Sequence, residues 1–379
     1  MSGTLSRREV LHDLLAAGVV LGTGWPALAQ GEEVIPFTDL PAPAANARVP
    51  PSLTQYFTDN SLFFAVQHYP VPPAIDPAAY KLRITGLVDR PMELTLAAVK
   101  TRPRIEEVVG FECSGNNNGR GNPLLGNARW AGTSVARLLK EAGIRASARE
   151  VVFFGADTGT EEITHGGPAE KVEQHFGRSL SLDDAMRPEV MLSDTMNGQP
   201  MPHSHGAPVR LVVPGWYGVA NVKWLNHIHV QDSRFMGRFM ARDYVTLRGQ
   251  SVGAATVWNE TSVGRTRLKS AIGRVTRTGA SLKATGFALT DGTPLKVVEV
   301  SVNGGPWKPA VLDKRNTRYS WQLFTYEWSG AQPGAPSGEH TIVSRATDIR
   351  GEVQPTDEDL RSKKTRWENN GQFLRKFKI

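Results

Sequence analysis

The chain has 379 residues, 40% hydrophobic and 21% charged, which is enough apolar material for sizeable cores and excludes a disordered or fibrous protein. At about 150 residues per domain its length suits two domains. The 44 Lys and Arg against 37 Asp and Glu give a formal charge of +7, but the basic residues are scattered rather than run together, so nucleic acid is not expected as a partner. A lone cysteine, Cys113, excludes an internal disulfide framework, an all-cysteine iron–sulfur site and a C-x-x-C-H haem attachment.

Residues 1–29 read as an export signal. Arg7 and Arg8 precede a short apolar stretch, Leu14 to Leu21, that ends in Ala27-Leu28-Ala29, a small-x-small cleavage site. Adjacent arginines point to the twin-arginine route, which carries folded proteins; the alternative is a general secretory signal with a coincidental pair. No other apolar run approaches the length of a membrane span, so the mature protein is expected to be soluble and periplasmic. Residues 30–52, rich in Pro and Ala, read as an extended arm outside the core.

From residue 53 to 250 the pattern is mixed. Tyr80 to Thr85 alternates as a strand does, and Thr133 to Gly143 carries helical spacing ended by glycine. Val151 to Gly155 predicts a buried strand, Leu182 to Met186 a short helix, and Val209 to Gly215 a strand stopping at a turn. The spacing predicts a loop-rich α+β domain. Residues 251–379 differ in character. Beyond about Ser270, short alternating runs at Leu282–Leu289, Val297–Val302, His340–Ala346 and Leu374–Ile379, with turn signals at Asp291-Gly292 and Asn303-Gly304-Gly305, predict a β-sandwich.

Two constellations could carry chemistry. Cys113 lies in Gly110-Phe-Glu-Cys113-Ser-Gly-Asn-Asn-Asn-Gly-Arg120-Gly, a polar, glycine-rich flank that lets backbone approach a ligand closely. A buried thiol, a soft metal ligand and a covalent nucleophile all remain open there. The second runs from Met196 through His203, His205 and Arg210 to Lys223. His205, Arg210 and Lys223 could converge on one oxyanion or phosphate, or form a solvated face. His203 and His205 could instead bind zinc, although no H-E-x-x-H frame is present.

Taken in order, the motifs resemble the sulfite oxidase family. They are Phe63-Phe64 with His68-Tyr-Pro-Val-Pro72, Glu112-Cys113-Ser-Gly-Asn116, Met196-Asn-Gly-Gln-Pro, His205-Gly-Ala-Pro-Val-Arg210, Val213-Pro-Gly to Val222-Lys-Trp-Leu225, Arg242-Asp-Tyr244 and Lys269-Ser-Ala-Ile272. The likeness spans about residue 53 to the C-terminus. It implies a sulfite-oxidase-type molybdopterin-binding domain followed by an immunoglobulin-like sandwich that pairs two subunits as a homodimer. It also implies one molybdenum-molybdopterin with Cys113 as the protein's metal ligand. By the same resemblance His68, Asp157, His205, Arg210 and Lys223 hold the pterin and its phosphate, Asn221 and Val222 contribute backbone, and Tyr244 sits beside the metal. The implied chemistry is oxygen-atom transfer on sulfite or a related small sulfur oxyanion. No haem is expected, so electrons leave to an external acceptor, a c-type cytochrome in this reading.

The chain departs from that family where anion-binding arginines are expected. Val66 stands in Phe63-Phe-Ala-Val-Gln-His68, Asn118 follows the cysteine motif, and Asn370 follows Trp367. Arg120 and Arg129 are the candidate replacements, because burying a dianion without cationic partners costs several kcal/mol. The Val-Pro-Gly-Trp-Tyr-Gly turn resembles the sulfane dehydrogenase branch, which offers a non-sulfite substrate or a reductase reaction as the alternative. A reading from another class, a partner-binding module on a degenerate scaffold, is opposed by the retention of Cys113, Arg210, Lys223 and Tyr244.

Overall fold

In the computed structural model the described residues are 31–40, 55–116, 123–164, 166–329 and 338–379. The export signal, most of the arm, Asn118 and Arg120 lie outside them. Among the described residues, no helix is long and apolar enough to cross a membrane.

The first half is built on two sheets. One runs Met92–Thr95, Lys81–Gly86, Leu225–Gln231, Glu150–Ile163, Glu170–Ser181 in spatial order. Only the central pair, Leu225–Gln231 on Lys81–Gly86, is parallel. The expected alternation is present in Lys81–Gly86, where Leu82 and Ile84 are buried while Lys81 and Arg83 face solvent. The second sheet runs Arg210–Val212, Met191–Met196, Leu125–Ser134, Arg104–Glu112, all antiparallel. Helix Val135–Ala142 turns Val135, Leu138, Leu139 and Ala142 inward, the i, i+3, i+4, i+7 stripe of an amphipathic helix, and ends at Gly143 in the left-handed conformation. With Leu96–Lys100, Leu182–Ala185 and Arg238–Ala241 it completes the α-helices of the described residues. The expected α+β character holds loosely: the fold is mostly β with short helices, since the long alternating runs pair with one another instead of being crossed by helices.

The second half is a sandwich of two antiparallel sheets. Glu33–Ile35, Lys269–Thr278, Ser281–Leu289, Gln322–Ser329 and Val311–Leu312 form one; Lys308–Pro309, Leu295–Val302, Glu339–Asp348 and Arg375–Lys378 form the other. Both contribute to one core that includes Ile272, Val275, Phe324, Val298, Ile342 and Phe377. Two expectations change here. The boundary at 250/251 cuts through a hairpin, Val245–Val252 with Ala255–Ser262, which is a two-stranded sheet of its own; the sandwich begins at Lys269. The described part of the arm, residues 31–40, enters the core after all. Glu33–Ile35 pairs with Lys269–Thr278, Ile35 is buried, Phe37 bridges to Phe377, and Asp39 accepts from Arg375 at 3.1 Å. Its Pro/Ala-rich composition hid a three-residue strand too short to show a period.

The halves meet where Leu125 packs with Phe287, Leu289, Trp321 and Leu323, and where Gly110 N–H donates to the Tyr319 carbonyl at 2.8 Å. The sandwich thus braces the strand that delivers Cys113.

Candidate functional site

Cys113 follows directly on strand Arg104–Glu112, in a turn closed by its N–H to the Leu124 carbonyl at 3.0 Å and by the Asn116 N–H to its own carbonyl at 2.8 Å. That turn is anchored from below. Lys269 Nζ, fully buried, donates to Glu112 Oε1 at 2.5 Å, and Asn116 Nδ2 donates to the same oxygen at 2.9 Å.

A second wall comes from the His203–His205 turn, strand Arg210–Val212 and the chain around Lys223. Gly206 has φ +109, and a Cβ there would lie 2.9 Å from Lys223 Cα, so only glycine lets the two backbones meet. Arg210 is buried, its guanidinium 5.0 Å from the Trp130 ring centre and donating to the carbonyls of His205 and Asn221 at 2.9 Å each and to that of Leu211 at 3.5 Å. Lys223 Nζ donates to the Ser204 carbonyl at 3.1 Å. Among the described residues neither cation makes an ion pair. Burial lowers Arg210 to about 9, and burial followed by repulsion from Arg210 lowers Lys223 to about 8. Asn221 holds the turn between them, accepting from Val213 N–H at 2.7 Å and donating to Tyr217 O at 3.1 Å.

The third wall carries His68, Asp157 and Tyr244. Tyr244 Oη and His68 Nε2 are 3.0 Å apart. The imidazole stacks on Phe239 and Phe176, at 4.7 and 5.5 Å between ring centres. Burial lowers His68 to about 4 and raises the Tyr244 phenol well above its ordinary value, so at neutral pH the pair is uncharged. Asp157 sits in the register break between Phe154 and Thr158, where a bulge can re-aim a side chain toward a site. Its Oδ1 is buried with no hydrogen-bond partner.

These walls enclose a cleft of about 640 Å³, part of it open to solvent, lined by Cys113, His68, Asp157, His205, Arg210, Asn221, Lys223, Tyr244 and Val66. Among the described residues, every cofactor-site residue inferred from sequence except Val222 lies in that lining, and of the substrate candidates Arg129 lies outside it. Val222 is fully buried and lines nothing, because its N–H donates to Ala220 O at 3.2 Å and its carbonyl accepts from Leu211 at 2.8 Å. Arg129 is exposed on the opposite face, 3.5 Å from Glu106 and over Phe57. Its neighbour Trp130 takes the inward position, as strand alternation requires. The zinc alternative also fails. His203 bonds Pro72 O while His205 bonds Asn60 O, and no group of three or more metal-ligating side chains occurs among the described residues.

Sequence reasoning passed over Trp367 as the ring that backs Tyr244 and Lys269 as the anchor of the Cys113 turn. Trp367 stacks on Tyr244 at 4.4 Å between ring centres and packs on Gly115, two residues from Cys113.

The donor set fits a molybdenum-bearing pterin. A half-buried thiol suits a soft metal, two cations lacking carboxylate partners suit a phosphate, and the orphaned Asp157 oxygen is left for a polar ring. Burial raises the Asp157 carboxyl from 3.8 to about 6. Because the folded value is the higher one, the stability it contributes is present at low pH and is lost as pH rises through about 6. In cofactor-free protein, Asp157→Asn is expected to stabilise the fold by up to roughly 2–3 kcal/mol near pH 7.5 and by little near pH 4; urea midpoints at the two pH values check this.

A family model described as "Oxidoreductase molybdopterin binding domain" matches residues 68–239. Sulfite oxidase of Gallus gallus is 33% identical over 343 residues, covering 82% of this chain and 71% of its own. Mitochondrial sulfite oxidase of Homo sapiens is 33% identical over 347 residues, again 82% of this chain but 60% of its own; the chain therefore spans about 60% of the length of that relative. Among solved structures, the sulfane dehydrogenase SoxCD from Paracoccus pantotrophus superposes with a TM-score of 0.70 over 100% of both chains at 21% identity, a likeness of fold.

Proposed function

The chain belongs to the sulfite oxidase family of molybdenum oxidoreductases, and from that premise we propose that it oxidises sulfite or a related sulfur oxyanion in the periplasm, passing electrons to an external c-type cytochrome. The observation that carries this is the convergence of Cys113 with Arg210 and Lys223, cations with no ion-pair partner among the described residues, in one cleft. Cys113 would hold the metal, and Arg210, Lys223 and His205 the phosphate end of the pterin. His68 and Asp157 would take its polar ring, with the Asn221 turn fixing the spacing between the two cations. When bound, molybdenum-molybdopterin supplies the two-electron couple of oxygen-atom transfer. The protein's own contribution is placement. The neutral Tyr244–His68 pair keeps a hydrogen-bond donor at the metal wall without adding negative charge, and the aromatic stack of Tyr244 on Trp367 limits water at that wall.

In this reading the second half is an immunoglobulin-like sandwich that pairs two subunits, and residues 1–29 are a twin-arginine export signal. Protein matured with its pterin is expected to hold stoichiometric molybdenum and to lose the absorption of the oxidised metal rapidly on anaerobic mixing with sulfite. Matured protein without molybdenum overturns the assignment. A second reading, a larger or less charged substrate, is favoured by Val66 at the mouth of the cleft and by Asn370, whose amide is spent on the Leu268 carbonyl at 3.0 Å. Intact molybdenum with no response to sulfite selects it.

A further inference from the structure

Resting on the oxyanion reading above, we propose that Arg366, lying on the Trp367 indole that stacks on Tyr244, is the substrate-anchoring cation of this enzyme. It takes over from the arginines expected at positions 66, 118 and 370.

The described alternatives are already committed elsewhere. Val66 offers hydrocarbon, and Asn370 is turned into the seam with the sandwich. Arg129 lies on the far face of its strand. Arg248 and Arg267 are held by the buried carboxylate of Glu368, at 3.5 and 3.6 Å. Arg210 and Lys223 stand on the wall assigned to the cofactor's phosphate.

Arg366 differs from all of these. Its guanidinium carbon lies 4.4 Å from the Trp367 ring centre, and among the described residues it has no hydrogen bond or ion pair. The same indole stacks on Tyr244 and touches Gly115, so the Arg366–Trp367–Tyr244 stack places a cation beside the metal wall.

The stack is held in position by its own segment. Glu368 adopts φ +55, its N–H donates to the Ser114 carbonyl at 2.7 Å, and Lys363 Nζ donates to the Trp367 carbonyl at 2.9 Å. The residue after the stack is thus tied to the residue after Cys113. A guanidinium lying on an indole loses rotamer freedom in advance and keeps its N–H edge free for two oxygens of one anion.

The test uses cofactor-loaded protein, with sulfate as a non-oxidisable probe read by calorimetry and sulfite read by steady-state kinetics. Arg366 is exposed, so R366Q should fold; R361Q, which removes an exposed cation paired with Glu358, serves as the control for net charge. R366Q is expected to raise the sulfate Kd and the sulfite KM by about tenfold or more, with kcat changed far less. R366K should fall between, because lysine supplies charge without the bidentate edge, and R361Q should match the parent protein. If the parent binds sulfate and R366Q binds it equally well, the proposal is overturned and the oxyanion reading stands. If molybdenum-loaded parent neither binds sulfate nor oxidises sulfite, the oxyanion reading falls and takes the proposal with it.

Discussion

Replacing Cys113 by serine is expected to lower turnover by about a hundredfold or more, since even the outer partners of a metal ligand act on a scale of roughly 10–100-fold. The fold should survive. Cys113 is only half-buried, its backbone carries the turn, and the thiol adds little to the core around Phe63, Phe111 and Trp130. We therefore expect the unfolding midpoint to move by no more than about 1 kcal/mol equivalent. Molybdenum content measured beside turnover separates the two ways the variant can fail. Metal retained with activity lost means that the hard hydroxyl has changed the metal's electronic properties; metal lost means the thiolate was needed to keep it. A serine variant that turns over normally removes Cys113 from the metal's coordination and with it the central assignment.

Lys269→Met is the second large effect, and it should appear as lost stability. The Lys269–Glu112 pair is closed off from solvent, with side chains 0% and 2% exposed. Taking one partner away leaves a buried charge uncompensated, which costs about 3–5 kcal/mol. Asn116 donates to the same Glu112 oxygen, so the Cys113 turn should loosen along with the seam. The double variant Glu112→Met/Lys269→Met is expected to recover most of the loss, because a well-packed apolar pair avoids the cost of dehydrating two ions. Urea unfolding of parent, single and double variants decides the matter. Equal losses in the single and the double variants would mean that packing, not charge, holds that seam.

Local pattern carried much of the architecture. The alternation in Lys81–Gly86, the stripe on Val135–Ala142 and the turn at Asn303-Gly304 each state their structure within a few residues, and each is present. The convergence of His205, Arg210 and Lys223 was legible as one of two readings, since they are near neighbours in sequence and one strand and one turn bring them to one cleft, while the same spacing also allowed a solvated face. What stayed hidden depends on distance or on parity. Lys269 and Glu112 are 157 positions apart, and neither shows in its own neighbourhood that it will be dehydrated against the other. Arg366 and Trp367 reach the site only because the C-terminal segment folds back over Ser114. Arg129 was misplaced by a single step, which on a strand is the difference between two faces.

The short strand Glu33–Ile35 has a meaning for solubility that its size conceals. It occupies the flank of the ten-residue strand Lys269–Thr278, which would otherwise present a row of open backbone donors and acceptors to any second chain. It is brief and edged with charge, Glu33 meeting Arg277 and Glu32 meeting Lys283, so it closes that flank without offering an inviting new one. A few residues on, Phe37 and Asp39 fasten it to the opposite sheet. Trimming the chain near residue 40 to tidy its N-terminus would therefore expose a template for edge-to-edge aggregation, although no residue of the cleft had been touched.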